Sequence, residues 1–194
     1  MKYNITDTKL IKEIADHYEA IIRLIGEDPT REGLLKTPER AAKALLENTR
    51  GYKEDAAQKI NAAVFQEPGS ELVIVRDIEF YSLCEHHILP FYGTITIGYM
   101  PADAIVGLSK LGRIVDTYSR RLQIQERLTR QLCETVAQTL SPRGVIVVAQ
   151  ADHLCMKMRG IEKQSSKTVT IEYCGEFEDI NRRREFFELL QLQQ

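Results

Sequence analysis

The spacing of apolar residues changes near residue 70, and this change constrains the fold more than any other feature of the sequence. Before it, apolar side chains recur at helical intervals over residues 10–25, with Thr6 or Asp7 available as the N-cap. A second helix is predicted to begin at Thr37-Pro38, where a cap residue is followed by proline at the first helical position. Residues 1–66 are therefore predicted to form a helical N-terminal region.

A loop is predicted at Glu67-Pro68-Gly69-Ser70, and after it strand-like and helix-like segments alternate. The strand-like segments are rich in β-branched and aromatic residues. In chain order the predictions are strands at 72–83 and 91–100, helices at 108–118 and 124–140, strands at 144–151 and 167–173, and a helix at 181–190. Because the strands come in pairs with helices between the pairs, residues 67–194 are predicted to form an α+β domain, an antiparallel sheet with helices on one face.

Charge and hydropathy exclude several classes of protein. The 26 basic and 28 acidic side chains give a formal net charge of −2, which argues against a general nucleic-acid-binding protein. No apolar run approaches the ~20 residues of a membrane span, and the first ten residues lack the apolar stretch of a signal peptide. We therefore expect a cytoplasmic protein that binds neither nucleic acid nor membranes. In that compartment the four scattered cysteines stay reduced and suit metal binding or catalysis better than disulfides.

Two short clusters place cysteine beside histidine and predict a metal site. Cys84 and His87 are three residues apart and can converge on one ion across a turn. Cys155 follows His153 by two residues, which puts both side chains on the same side of an extended segment. Cys84, His87 and Cys155 supply three ligands that suit Zn²⁺. Three protein ligands leave a fourth tetrahedral position open, as in a catalytic zinc site.

The same residues allow simpler interpretations. Cysteines are often small buried hydrophobic side chains, and one more histidine, His86 or His153, would close the coordination and make the zinc structural. If both histidines stay outside the coordination sphere, they suit proton transfer near neutral pH or a hydrogen bond to a ligand. The remaining cysteines and histidine are predicted to be packing residues and a surface residue: Cys133, Cys174 and His17.

A polar segment between the two clusters predicts an anion site. Ser109, Lys110 and Arg113 fall within about one helical turn, and near a helix N-terminus they suit a phosphate, although a solvated helix face is the alternative. Arg159 is close enough in sequence to the second cluster to reach an anionic substrate. The Glu126 carboxylate can accept two hydrogen bonds from a guanine edge, but an acidic residue in a first helical turn is also expected from the helix dipole.

In these motifs the sequence resembles GTP cyclohydrolase I, and the resemblance covers nearly the whole chain. The motifs occur in the family's order as LLKTPERAAKAL, SLCEHHILPFYG, GLSKLGRIV, RLQIQERLT and HLCMKMRGIEK. The combination of CEHH with the distal HLCM is highly specific. The resemblance implies a zinc-dependent hydrolase that opens the imidazole ring of GTP. The implied products are formate and 7,8-dihydroneopterin triphosphate, at the start of tetrahydrofolate or pterin biosynthesis.

The resemblance also implies three tasks for individual residues. The zinc ligands are Cys84, His87 and Cys155. The residues that move protons or join the later rearrangement of the ribose are His86, His153 and Ser109. Those that recognise the substrate are Glu126 with Gln125 for guanine, and Lys110, Arg113 and Arg159 for the triphosphate, with Arg40 as a contribution from a neighbouring subunit.

For the fold, the resemblance implies the tunnelling fold, in which sheets from several subunits complete a β-barrel. It further implies a homodecamer of two pentamers with active sites between subunits. Open sheet edges in a single chain agree with this, because such edges are best covered by neighbours. Two rival interpretations are another tunnelling-fold enzyme of pterin or deazapurine metabolism, and a non-catalytic module with structural zinc that senses a purine nucleotide.

Overall fold

The computed structural model describes residues 7–67 and 71–191, and the chain divides into two compact units, Met1–Glu54 and Asp55–Gln194. The first unit contains α1 (Thr8–Leu24), α2 (Thr37–Asn48) and a 3-10 turn (Arg50–Lys53). The second contains α3 (Ala56–Asn61), β1 (Val64–Gln66), β2 (Val73–Cys84), β3 (Pro90–Met100), β4 (Ala104–Val106), α4 (Leu108–Ser119), β5 (Leu122–Gln123), α5 (Gln125–Leu140), β6 (Gly144–His153), α6 (Leu154–Lys157), β7 (Thr168–Gly175), a 3-10 turn (Glu176–Glu178) and α7 (Ile180–Gln191). Within these described ranges, no helix has the length and apolar character needed to cross a membrane.

Both predicted N-terminal helices form. The Asp7 carboxylate caps α1 by accepting hydrogen bonds from two backbone N–H groups of its first turn, whereas Thr6 lies outside the described residues. The expected cap at Thr37 is wrong: Lys36 holds the cap position, and the Thr37 hydroxyl instead donates to the carbonyl of Gly33 at 3.3 Å. Pro38 is therefore the second residue of α2 and not the first as predicted, and its missing N–H still costs nothing in this first turn.

The four long predicted strands lie in one five-stranded sheet, whose order is β5-β2-β3-β6-β7. β3 runs antiparallel to both β2 and β6, and β7 runs antiparallel to β6, so the predicted α+β class with an antiparallel sheet is confirmed. The sequence missed the short β5, which is parallel to β2, and the small β1–β4 sheet. Strands of two or three residues are too short to show a period. Within the predicted loop at 67–70, residues 68–70 lie outside the described residues.

The register of the sheet brings the ends of β2 and β6 to the same edge. Leu83 near the end of β2 lies opposite Pro90, the first residue of β3. His153 at the end of β6 lies opposite Phe91, the next residue of β3. The two strands therefore bring the turn that carries Cys84 and His87, the cysteine-histidine turn, close to the second cluster, which contains His153 and Cys155.

The main core lies between the sheet and helices α4 and α5. Alternate residues of β3 and β6, such as Ile97 and Val147, meet the apolar faces of these helices, including Leu111 and Leu132. The helix α7 packs on the opposite face of the sheet, where Phe186 is fully buried beside other apolar side chains, Met100, Ile146 and Phe177. The expectation of helices on one face thus holds for α4 and α5, and α7 adds a smaller cluster on the other face.

Gly98 on β3 is where α7 comes closest to the sheet. A Cβ atom there would lie 2.7 Å from Cε2 of Phe186 and 3.0 Å from Cγ2 of Ile146. We predict that Gly98→Val lowers the free energy of unfolding by about 1–3 kcal/mol, because the buried ring has no room to move. Gly112→Ala on α4 is the control, since a Cβ there meets nothing within 4 Å and the helix gains about 0.5–1 kcal/mol.

Urea denaturation of each variant at one fixed protein concentration measures these changes. Equal midpoints for Gly98→Val and the parent protein would contradict the close packing of α7 on the sheet.

Candidate metal centre and active site

The three predicted ligands converge in the structure. Cys84 ends β2, His87 lies in the turn that follows, and Cys155 lies on the short α6, and their ligand atoms are all within 4.8 Å of one another. The Cys84 Sγ lies 3.8 Å from the Nδ1 of His87. A tetrahedral zinc with ordinary bond lengths separates a thiolate from an imidazole nitrogen by about 3.6 Å, so the donor set and its spacing fit the ion. The expected extended backbone at Cys155 is wrong, because β6 ends at His153 and a helical turn begins there.

Backbone hydrogen bonds shape the turn that carries the first two ligands. The N–H of Cys84 donates to the carbonyl of Leu89 at 2.8 Å, and the Cys84 carbonyl accepts from the N–H groups of His87 and Ile88. Ile88 has a φ of 53°, a left-handed conformation that a β-branched residue rarely adopts. This tight turn directs the side chains of Cys84 and His87 toward the same point.

The two thiols of the cluster lie close together and are shielded from solvent to different degrees. Cys84 is buried and Cys155 half-buried. Burial, and then the neighbouring Cys84, raise the pKa of the Cys155 thiol, while Arg159 acts in the opposite direction. The Arg159 guanidinium donates to the Cys155 carbonyl at 3.3 Å, so this cation stands beside the cluster as expected. A divalent metal displaces the thiol proton of a cysteine when it binds.

His153 is held against the sheet next to the cluster. Its ring stacks on Phe91 with 4.7 Å between ring centroids and 9° between ring planes. Its Nε2 lies 2.8 Å from Oε1 of Gln125. Burial lowers the pKa of His153, although Glu126 and Asp152 act to raise it. The ring is therefore oriented on two sides and favours its neutral form.

Gln125 fixes the orientation of that histidine. Its side chain is 1% exposed, and its amide nitrogen donates to the carbonyls of Ala149 and Thr168 and to the hydroxyl of Thr170, at 3.0–3.2 Å. With the nitrogen committed to three acceptors, Oε1 must face His153 and accept the proton on its Nε2. The family resemblance implies that Gln125 recognises guanine, and the sequence gave no signal of this contact with His153.

One ion pair at the site was missed by sequence reasoning altogether. Glu85, which lies between two residues of the cysteine-histidine turn, receives two hydrogen bonds from the guanidinium of Arg127 on α5. The second of these joins Nη2 to Oε1 at 3.1 Å. The two residues are 42 positions apart, so no local spacing in the sequence could have paired them.

The remaining predicted residues lie on neighbouring elements. Ser109, Lys110 and Arg113 occupy the first turns of α4, where the Lys110 N–H donates to the carbonyl of Gly107. Glu126 is exposed in the first turn of α5, and His86 is exposed with its Nδ1 3.8 Å from the Cys84 Sγ. The remaining members of the set are Arg40, exposed on α2, His17, exposed on α1, Cys133, buried in the core, and Cys174, packed against that core. The last three agree with their prediction as surface and packing residues.

Comparison with known proteins identifies the family. The sequence profile of GTP cyclohydrolase I matches residues 14–191. GTP cyclohydrolase 1 of Bacteroides thetaiotaomicron is 52% identical over 181 residues, covering 93% of this chain and 92% of the relative. The rat enzyme of that name is 51% identical over 181 residues, covering 93% and 75% respectively. A solved structure, the archaeosine synthase QueF-Like in its apo form, has 20% identity and a TM-score of 0.45 over 55% of this chain and 96% of its own. With a profile match across most of its length and relatives at half identity, the chain belongs to the GTP cyclohydrolase I family.

Proposed function

We propose that this protein is a zinc-dependent GTP cyclohydrolase I, a hydrolase of cyclic amidine bonds. It would convert GTP into 7,8-dihydroneopterin triphosphate and formate as the first step of tetrahydrofolate or pterin biosynthesis. The observation that carries the proposal is the convergence of Cys84, His87 and Cys155 beside an oriented His153 in a chain of this family. Membership of the family supports GTP as the substrate.

The donor set supports zinc as the metal. Two sulfur ligands and one imidazole are soft or borderline donors, which favour zinc over calcium or magnesium. Zinc, when bound, supplies the Lewis-acid activation that allows water to add to C8 of guanine near neutral pH. Cys84 is buried, whereas His87 is exposed, so the site opens toward solvent on the histidine side and a substrate can approach there.

His153 is the proposed proton-transfer group for ring opening. Its lowered pKa keeps it neutral near pH 7, and the contact with Gln125 places its proton on Nε2. Nδ1 is then the basic nitrogen, able to take up a proton and deliver it to N7 of the substrate. Stacking on Phe91 limits rotation of the ring, which keeps both nitrogens in fixed directions.

Membership of the family supports the proposed substrate contacts. Glu126 would accept hydrogen bonds from the guanine edge, and Gln125 would act through its hold on His153. The cations proposed to bind the triphosphate are Lys110, Arg113 and Arg159, joined by Arg40 of a neighbouring subunit. His86 and Ser109 are proposed to assist the later rearrangement of the ribose. Of the cations, Arg159 has direct support, since it touches the backbone of Cys155.

We propose a homodecamer of two pentamers with active sites between subunits. In the described part of the chain, β7 pairs with β6 on one side and forms an edge of the sheet. Its residues alternate in exposure, and the exposed set includes Val169, Ile171 and Tyr173. An apolar edge strand is best covered by another strand, which supports completion of the sheet by neighbouring subunits, as in the tunnelling fold.

The function is tested by incubating the purified, metal-analysed protein with GTP. We expect formate and a product that becomes a fluorescent pterin after oxidation, and we expect both to disappear after chelation and to return when zinc is restored. GTP that binds but survives intact would favour the nucleotide-sensing module. Failure to bind GTP would favour another enzyme of the tunnelling fold.

The ligand role of Cys155 is tested by Cys155→Ser. A hydroxyl is a much poorer zinc ligand than a thiolate, so we expect zinc stoichiometry and turnover to fall together. Cys174→Ser is the matched control, because Cys174 is also half-buried but lies outside the cluster. Zinc content by elemental analysis and formate release are the measurements. Normal metal content and rate in Cys155→Ser would exclude this residue as a ligand.

The proton-transfer roles are tested by His153→Ala and His86→Ala. Both variants should retain zinc and lose turnover, by roughly 10²–10⁴-fold where a general acid-base group is removed. His17→Ala on the exposed face of α1 should change neither quantity. Formate release reports ring opening, and pterin fluorescence reports the later steps. If both variants turn over GTP at the parent rate, the acid-base assignment is wrong.

A further inference from the structure

We infer that Arg127 is a positioning residue for the metal centre, acting through its ion pair with Glu85. The inference rests on the proposed function and adds to it a residue outside the ligand set. Glu85 directly follows the ligand Cys84 and precedes His87 by two positions. A contact that fixes its carboxylate therefore also restrains the cysteine-histidine turn, which carries both ligands and is called the ligand turn below.

The geometry of the pair is the first support. Both guanidinium Nη atoms of Arg127 donate to the two carboxylate oxygens of Glu85. Such a two-point contact fixes the relative orientation of both planar groups, which a single contact does not. The side chains are 35% and 30% exposed, so the pair is better shielded than an ordinary surface ion pair.

The position of Arg127 on its helix is the second support. It follows Gln125, which holds His153, and Glu126, which is proposed to read guanine, in the first turn of α5. The same segment binds the ligand turn through its backbone, since the N–H of Glu85 donates to the Gln123 carbonyl at 3.0 Å. Strand β5 pairs there with the end of β2. The ion pair therefore ties the ligand turn to the same helical turn that orients His153.

The chain offers a matched comparison one turn further along α5. Arg130 pairs with Glu134 at 3.9 Å within the helix, and both side chains are more than half exposed. This pair has the same chemistry as the Arg127–Glu85 pair but joins two residues of one helix. Replacing Arg130 therefore shows what the loss of an arginine from α5 does when the ligand turn is not involved.

The test compares Arg127→Gln, Glu85→Gln, the double variant and the control Arg130→Gln. Zinc affinity is measured by competition with a chelator, and kcat and KM for GTP are measured on fully metal-loaded protein. Loss of a partner that orients metal ligands typically costs roughly 10–100-fold in metal affinity or activity. We expect that loss in both single variants, as weaker zinc binding together with lower kcat, while KM changes by less than about threefold. Arg130→Gln should match the parent protein.

The double variant and a conservative variant complete the design. If the two residues act as a pair, the double variant should lose no more than either single one. Arg127→Lys keeps the charge but not the two-point contact, so it should recover only part of the zinc affinity. It also provides a variant that retains the charge if Arg127→Gln folds poorly.

Several outcomes would overturn the inference. Zinc affinity of Arg127→Gln equal to that of Arg130→Gln would show that the pair does not position the ligands. Additive losses of zinc affinity in the double variant would show that the two residues act independently. Parent zinc affinity in Arg127→Lys would show that only the positive charge matters and that the two-point contact does not. Parent protein that holds no zinc and releases no formate would instead overturn the proposed function, so the two failures are distinguishable.

Discussion

The antiparallel pairing of β3 with both β2 and β6 is the constraint on which the site depends. Because β3 runs against both neighbours, β2 and β6 point the same way and end at the same edge of the sheet. The register then places His153 opposite Phe91, one residue along β3 from the partner of Leu83. A shift by one residue would turn His153 to the other face of the sheet and separate Cys155 from Cys84 and His87.

Helix α5 adds a second constraint, because residues of its first turn contact both His153 and the turn that carries Cys84 and His87. Gln125 holds the imidazole of His153, and Arg127 holds the carboxylate of Glu85 in the ligand turn. Along the rest of the helix, Leu128, Leu132 and other apolar residues are buried against the sheet. Core packing thus sets the position of α5, and α5 in turn sets the relation between the Cys84–His87–Cys155 cluster and the imidazole of His153.

Much of this arrangement was predictable from the sequence, for physical reasons. The long strands and helices show clear periods, and a cysteine three residues before a histidine is a local ligand pattern that needs no tertiary information. The contacts of Gln125 and Arg127 were not predictable, because their partners lie 28 and 42 residues away and become neighbours only through the register of the sheet. The helical turn at Cys155 was missed for a related reason: four residues cannot show a helical period.

The chain contains a second pair of neighbouring thiols, and the contrast explains why only one pair is suited to metal. Cys133 is buried on α5, and burial together with the adjacent Cys174 raises its pKa. Burial and a neighbouring thiol act in the same way on Cys155. The difference lies in the surroundings: Cys84 and Cys155 have an exposed histidine and a nearby guanidinium, whereas the carboxylates of Glu172 and Glu134 raise the pKa of Cys133 further. Burial, the neighbouring thiol and two carboxylates therefore all oppose deprotonation of Cys133. At the cluster, an imidazole, a nearby cation and access from solvent favour the binding of a metal ion.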